Sequence, residues 1–244
     1  MRSKLMVYVA AAILLVLAYA MYSVFSFWNA AQKSKPLIAA TPPFNRADET
    51  LAKNILVLGD SLAVGVGAPA VETIAGRLAT ALDANVENYA KSGALTSDLA
   101  AQMARAKKNR YDLILIQAGA NDVIQLKSLA TAEKNMDALL TEVAKKSDHL
   151  VFLTSGNIGD APLWPFPWRH IYLKRTLDLR GRFMALATKH GALYIDLYSH
   201  GNLFASDPKR FYAPDDLHLS ADGYAKWFDV IQKETIKRWP ELSR

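Results

Sequence analysis

The sequence predicts an α/β protein, a three-layer α/β/α sandwich with a central parallel sheet, preceded by one N-terminal transmembrane helix. Short, continuous apolar runs recur along the chain after residue 54. Segments whose apolar residues have helical spacing separate these runs. Runs of four or so apolar residues suit strands buried on both faces, and their alternation with helices is typical of a parallel sheet covered on both sides.

The first element is the stretch 5–28, which is apolar and holds no charged residue. At a rise of about 1.5 Å per residue it spans about 36 Å as a helix, enough to cross a bilayer. Four aromatic residues gather at its far end: Tyr22, Phe25, Phe27 and Trp28. Because aromatic rings favour the membrane interface, we predict a membrane anchor over residues 1–28.

A cleaved signal peptide is the alternative, since Ala18-Tyr19-Ala20 resembles a small-x-small cleavage site. The apolar run continues eight residues beyond that site, which a cleaved peptide would not need. Lysine and arginine flank both ends of the run almost equally, so the charge rule for orientation is nearly balanced. The short N-terminal tail favours a catalytic domain outside the cytoplasm, periplasmic or extracellular. Cleavage would instead give a secreted protein.

Composition limits the classes of function. Residues 29–53 contain Pro36, Pro42 and Pro43 and are predicted to be a linker, followed by one folded domain over 54–244. The formal charge is +6, but residues 1–35 hold four basic and no acidic residues, so the domain is nearly neutral. A nucleic-acid partner is therefore not expected. The chain has no cysteine, which excludes disulfides, thiolate nucleophiles and Cys-ligated zinc.

Five strands and five helical segments are expected within the domain. The strands are placed at 55–58, 86–89, 113–116, 150–153 and 193–195. The helices are placed at 70–82, 96–107, around 136–143, 171–189 and around 224–231. Ser61, Gly93 and Asn121 follow the first three strands. Since the carboxyl ends of parallel strands meet at one edge of a sheet, we expect these three residues to lie together.

The segment Gly59-Asp60-Ser61-Leu62 joins the first strand directly to a helix, so the serine stands on a sharp turn at a helix start. A serine there is often only a helix N-cap, and it needs a base to act as a nucleophile. His218 is the one histidine of five with a carboxylate three residues before it, Asp215. Such a carboxylate would orient the imidazole and stabilise its protonated form, with the neighbouring Asp216 as the alternative.

Acyl transfer also needs donors for a developing oxyanion, and Asn121 offers a side-chain amide and Gly93 a backbone N–H. Four motifs follow one another over residues 54–235: Gly-Asp-Ser, an isolated glycine, Gly-x-Asn-Asp and Asp-x-x-His. In this order they resemble the SGNH (GDSL-type) hydrolase superfamily. The resemblance implies a flavodoxin-like fold and hydrolysis of carboxylic esters or thioesters with no metal or cofactor. It implies that Ser61 is the nucleophile, His218 the base and Asp215 its orienting residue. Ser61, Gly93 and Asn121 would form the oxyanion hole.

The substrate and the competing functions stay open. The proline-rich loop after the fourth strand carries Trp164, Phe166 and Trp168, which with Leu62 are candidates for the substrate pocket. The loop could equally pack on itself or touch a membrane. The substrate could be an acetylated glycan, an acyl lipid or a thioester. A non-catalytic glycan-binding protein of this fold is the alternative, and a metallophosphoesterase is disfavoured because His218 alone of the histidines lies within a motif.

Overall fold

A computed structural model describes residues 2–154, 156–200 and 203–243. In this part of the chain, five strands form one sheet: β1 (Lys53–Gly59), β2 (Ala84–Asn88), β3 (Leu113–Gln117), β4 (Leu150–Leu153) and β5 (Leu193–Ile195). Neighbouring strands are all parallel, in the order β2-β1-β3-β4-β5. The predicted parallel sheet is confirmed, and each strand lies where its apolar run placed it.

The helices precede, connect and follow these strands. The α-helices are α1 (Arg2–Ala40), α2 (Ser61–Val64), α3 (Ile74–Ala81), α4 (Leu99–Met103), α5 (Ala120–Ile124), α6 (Leu129–Val143), α7 (Trp168–His190), α8 (Pro208–Phe211) and α9 (Ala221–Arg238). Short 3-10 turns lie at Ala70–Glu72, Thr96–Asp98, Ile158–Asp160 and Pro240–Ser243. Each of the five predicted helical segments contains helix, although 70–82 and 96–107 are each split between a 3-10 turn and a shorter α-helix, and the helix within 96–107 ends at Met103.

The sheet is covered on both faces, which gives the three layers that the sequence predicts. Alternate residues of β3 point to opposite sides: Leu113 and Leu115 join one apolar cluster, and Ile114 and Ile116 the other. The first cluster contains buried residues of α3 and α9, and the second contains those of α6 and α7. Because β3 is buried on both faces, its sequence is a continuous apolar run rather than an alternating one.

Helix α1 is longer than the predicted anchor. It runs over 39 residues to Ala40 and passes through Pro36, so residues 29–40 are helical where a linker was expected. Ala30 is 7% exposed, and Leu37 packs against the core of the domain. A proline inside a helix removes a hydrogen bond, and we attribute the continuity of α1 to this packing against the domain. Residues 41–52 that follow contain no α-helix.

The amino-terminal part of α1 is exposed and apolar. Within the described residues, Lys4–Ala40 is the one helical segment long and apolar enough to cross a membrane. Nearly all the large apolar side chains from Leu5 to Val24 are more than 40% exposed. By length and composition, α1 is thus a candidate for a membrane anchor or a signal sequence.

Candidate active site

The carboxyl edge of the sheet carries the residues that the motifs singled out. Ser61 begins α2 directly after β1, Gly93 follows β2, and Asn121 lies in the first turn of α5 after β3. His218 lies in the turn before α9. These four residues line a single cavity of about 570 Å³. The parallel sheet therefore brings together side chains that are up to 157 positions apart in sequence.

Ser61 is positioned by a tight strand-to-helix turn. Asp60 caps α2, its Oδ1 accepting the N–H of Leu62 at 3.0 Å. Gly59 has φ +153°, and a Cβ there would lie 2.0 Å from the carbonyl oxygen of Gln117. Only glycine can therefore bring β1 this close to β3 just before the serine. The backbone of Gly59 is also held on both sides by Gln102, whose amide accepts its N–H and donates to its carbonyl, each at 2.8 Å.

Two contacts fix the Gly93 loop against α5. Asn121 Nδ2 donates to the carbonyl of Ala94 at 3.0 Å. The carboxylate of Asp122 accepts the N–H and the hydroxyl of Thr96 at 3.0 and 2.8 Å. Because an amide carries two hydrogens, the bond to Ala94 leaves Asn121 a second donor for the cavity that it lines. Gly93 itself has φ +80°, a conformation that other residues rarely adopt.

Asp215 and His218 form a buried pair. Asp215 Oδ2 lies 2.6 Å from His218 Nδ1, and its Oδ1 accepts the N–H groups of Leu217 and His218 at 3.2 and 3.0 Å. Asp215 is fully buried and His218 is 5% exposed. Burial by itself raises the pKa of Asp215, but the hydrogen bonds and the charge of His218 outweigh it and hold that pKa well below its usual range. The carboxylate is thus ionised at neutral pH.

The turn that holds this pair separates the two aspartates. Asp216 is exposed and has φ +60°, while its N–H donates to the Ala213 carbonyl at 2.9 Å. Its own carbonyl accepts the N–H of Leu163 at 3.1 Å, which ties the turn to the proline-rich loop. Asp215, and not Asp216, therefore meets the imidazole of His218.

Residues 57–226 match the family model of the GDSL-like lipase/acylhydrolase family. The chain belongs to this family. It is thus an SGNH-superfamily ester hydrolase, as its motifs led us to expect. Among curated protein sequences, none matches the chain.

Solved structures show the same fold at low sequence identity. An α/β hydrolase, LAE5, from the metagenome of Lake Arreo is 16% identical, with a TM-score of 0.62 over 76% of this chain and 95% of that one. The acetylxylan esterase Axe2 from Geobacillus stearothermophilus is 19% identical, with a TM-score of 0.60 over 76% and 94%. A lipolytic G-D-S-L family protein from Veillonella parvula is 16% identical, with a TM-score of 0.59 over 78% and 99%.

The proline-rich loop contributes less to the GDSL-family site than expected. Trp164 lines the cavity, as does Leu62, and Trp164 Nε1 donates to the Ile158 carbonyl at 2.7 Å. Phe166 and Trp168 are not among the described residues that line it, and their part in substrate binding stays a prediction. Phe166 is 67% exposed, and Trp168 packs edge-on against Phe27 of α1. Of these three aromatic residues, Trp164 is thus the one that lines the cavity among the described residues.

Sequence reasoning missed the part of the site that comes from α1, which lies outside the segment matched to the family. Six residues of α1 line the cavity: Phe27, Ala30, Ala31, Ser34, Lys35 and Ile38. Ser34 Oγ donates to Asp215 Oδ2 at 2.7 Å across 181 positions of sequence. No local pattern signals such a contact. The sequence offered one indirect sign: Phe27, Ala31, Ser34 and Ile38 have helical spacing, which places them on one face of α1.

A buried carboxyl group lies in the turn just before Ser61. Asp60 is 1% exposed, and burial raises its pKa to about 7 despite the opposing effects of the Leu62 hydrogen bond and the charge of His218. Asp60, the motif residue that caps α2, is therefore an acidic group whose ionisation changes with pH near neutrality.

Proposed function

We propose that this ester hydrolase uses Ser61 as its nucleophile, His218 as general base and Asp215 to orient His218. One observation carries the proposal: Ser61, Gly93, Asn121 and His218 line the same cavity, and the imidazole of His218 is paired with a buried carboxylate. A serine hydroxyl is a weak nucleophile and needs such a base. An ionised Asp215 would hold the tautomer of His218 and stabilise its protonated form.

In the first half-reaction, His218 takes the hydroxyl proton of Ser61 while Oγ bonds to the carbonyl carbon of the ester. The carbonyl oxygen becomes an oxyanion, for which the Ser61 and Gly93 N–H groups and the Asn121 amide are the proposed donors. When the tetrahedral intermediate collapses, the bond to the alcohol oxygen breaks. That oxygen takes the proton from His218 and leaves as the alcohol, so the acyl group remains on Ser61.

Water completes the cycle. His218 accepts a proton from the attacking water, whose oxygen bonds to the acyl carbon, and the second oxyanion is held by the same donors. Collapse breaks the bond to Ser61 Oγ, which recovers its proton from His218. The products are a carboxylic acid and an alcohol, and the enzyme is unchanged. The chemistry of these residues requires no metal or cofactor.

We further propose that the domain lies outside the cytoplasm, periplasmic or extracellular, and is held at the membrane by α1. The exposed apolar surface of α1 between Leu5 and Val24 supports an anchor.

A fluorophosphonate probe tests the core of the proposal, because it forms a covalent adduct only with an activated serine. We expect the wild type to be labelled at Ser61 and the Ser61→Ala variant to remain unlabelled. Peptide mapping of the adduct gives the labelled residue directly. No labelling of a folded wild type would favour a non-catalytic, glycan-binding role, and labelling at another serine would overturn the assignment of Ser61.

A further inference from the structure

Helix α1, which lies outside the segment matched to the family, combines an exposed apolar stretch with one wall of the active-site cavity. The domain contacts α1 at several positions along the length of the helix. The hydroxyl of Tyr19 donates to the carbonyl of Phe166, Phe27 packs edge-on against Trp164 at a ring distance of 5.7 Å, and Ser34 bonds Asp215. The helix that would cross the bilayer is therefore held against the domain beside the reacting groups.

These contacts fix the height of the cavity above a membrane. A bilayer core takes up about 20 residues of helix, which the exposed apolar residues 5–24 supply. The membrane surface then lies at the exposed aromatic residues Phe25 and Trp28. Phe27, at the same level, lines the cavity, and Ser34 lies seven residues further along the helix, about 10 Å at 1.5 Å per residue. The cavity thus extends from the membrane surface to the Asp215–His218 pair.

The wall of the cavity is mostly apolar. Ser61, Asn121 and His218 are the polar residues of the proposed chemistry, and the other polar side chains that line it are Ser34, Lys35, Asn157 and Asp160. The rest of the wall is largely apolar and aromatic: Phe27, Ile38, Leu163, Trp164, Phe204 and Trp227. At about 570 Å³ the cavity is of the size that holds a drug-sized molecule, and an acetyl group would fill little of it. Apolar walls around one reactive end suit a hydrocarbon chain that carries a terminal ester.

The proline-rich loop supports the same placement. Phe166 is 67% exposed, although it is a large apolar residue, and its carbonyl is bonded to Tyr19. Tyr19 lies within the apolar stretch that a bilayer would cover, so an anchored α1 would place Phe166 at the depth of the lipid. An exposed aromatic ring at that depth would contact lipid rather than water.

We propose that the substrate is a membrane-resident acyl ester, which reaches Ser61 from the bilayer along α1 with its chain against Phe27 and the aromatic wall. This inference rests on the proposed serine mechanism and names its substrate class. Soluble short-chain esters also react, but they bypass the membrane route.

An insertion that lifts the domain off the membrane tests this route without touching the cavity. Seven helix-forming residues, Glu-Ala-Ala-Ala-Lys-Ala-Ala, are placed between Tyr22 and Ser23 of the full chain. Seven residues turn the helix almost two full turns, so its faces keep their direction while the domain rises about 10 Å. The matched control carries the same seven residues before Lys4, which lengthens only the tail. All proteins are reconstituted into phosphatidylcholine vesicles and quantified by fluorophosphonate labelling.

Each protein is assayed with p-nitrophenyl palmitate carried in the vesicles and with p-nitrophenyl acetate in solution. We expect the insertion at 22/23 to lower kcat/KM for the palmitate ester at least tenfold while the acetate ester changes less than twofold, and the control insertion to leave both unchanged. Equal palmitate hydrolysis by all three proteins would overturn the membrane route alone. Hydrolysis of neither ester by the wild type would overturn the serine mechanism on which the inference rests.

Discussion

Ser34 Oγ lies 2.7 Å from Asp215 Oδ2, the oxygen that also lies 2.6 Å from His218 Nδ1. A residue of the long N-terminal helix thus shares a carboxylate oxygen with the histidine of the proposed triad. Hydrogen bonds to an ionised group are stronger than neutral ones, so this contact both fixes the carboxylate and ties α1 to the site. Ser34 is accordingly a positioning residue, which acts through Asp215.

Replacing Ser34 by alanine removes this donor. A charge-assisted hydrogen bond contributes about 1.5–3 kcal/mol, and only part of that loss reaches the transition state, so we expect kcat to fall about 3- to 30-fold. Because Ser34 acts through Asp215, the loss should disappear in the Asp215→Asn background, where Ser34→Ala should change kcat less than twofold. Ser34→Thr keeps the hydroxyl and should restore kcat. The exposed Lys33→Ala is the control, and an equal loss from Ser34→Ala in both backgrounds would contradict this role.

Ser61→Ala should abolish ester hydrolysis while the protein stays folded. The covalent step is lost, and the oxyanion donors alone cannot replace it, so kcat should fall by about 10³-fold or more. The measurement is kcat/KM for p-nitrophenyl acetate together with the circular dichroism spectrum. The exposed Ser206→Ala serves as the matched control. Retention of most of the activity by Ser61→Ala would disprove the nucleophile assignment.

Asp215→Asn and Asp216→Asn, measured side by side, test which aspartate serves His218. Loss of the orienting carboxylate should lower kcat by as much as about 10⁴-fold, because an amide can favour the wrong tautomer of the imidazole. Asp216 is exposed with φ +60°, a conformation that asparagine tolerates, so its replacement should cost little. A larger loss from Asp216→Asn than from Asp215→Asn would reverse the assignment.

The sequence predicted the sheet and the residues at its carboxyl edge because both depend on local patterns. Buried parallel strands such as 113–116 are continuous apolar runs, and the residues that follow them must share one edge. The wall formed by α1 could not be predicted in the same way. Phe27 belongs to an apolar run that a membrane explains, and Ser34 lies in a segment whose prolines indicate a linker. Their contacts depend on how α1 packs against the rest of the chain, which no local pattern encodes.

An alkaline phosphatase fusion after residue 244 tests the proposed location. The phosphatase is active only outside the cytoplasm, so we expect active fusions that sediment with membranes. Inactive fusions would reverse the orientation. A soluble product that begins near Met21 would instead indicate cleavage of a signal peptide, and it would also remove the membrane route to Ser61.

The free energy of unfolding should depend on pH in part through the ionisation of Asp60. Its pKa is raised from 3.8 to about 7 by burial, so the folded protein holds a proton that the unfolded chain releases. The free energy of unfolding therefore falls as pH rises from about 4 to about 7 and levels off above that, and the loss attributable to Asp60 is about 4 kcal/mol at most.

Asp60→Asn keeps an oxygen for the Leu62 N–H and has no charge to bury. We thus expect its Tm, relative to the wild type in the same detergent, to rise between pH 5 and pH 8. Ser206→Ala, at an exposed site with no titratable group, should show no such slope. A Tm difference between Asp60→Asn and the wild type that does not change with pH would mean that Asp60 is ionised throughout this range in the folded protein.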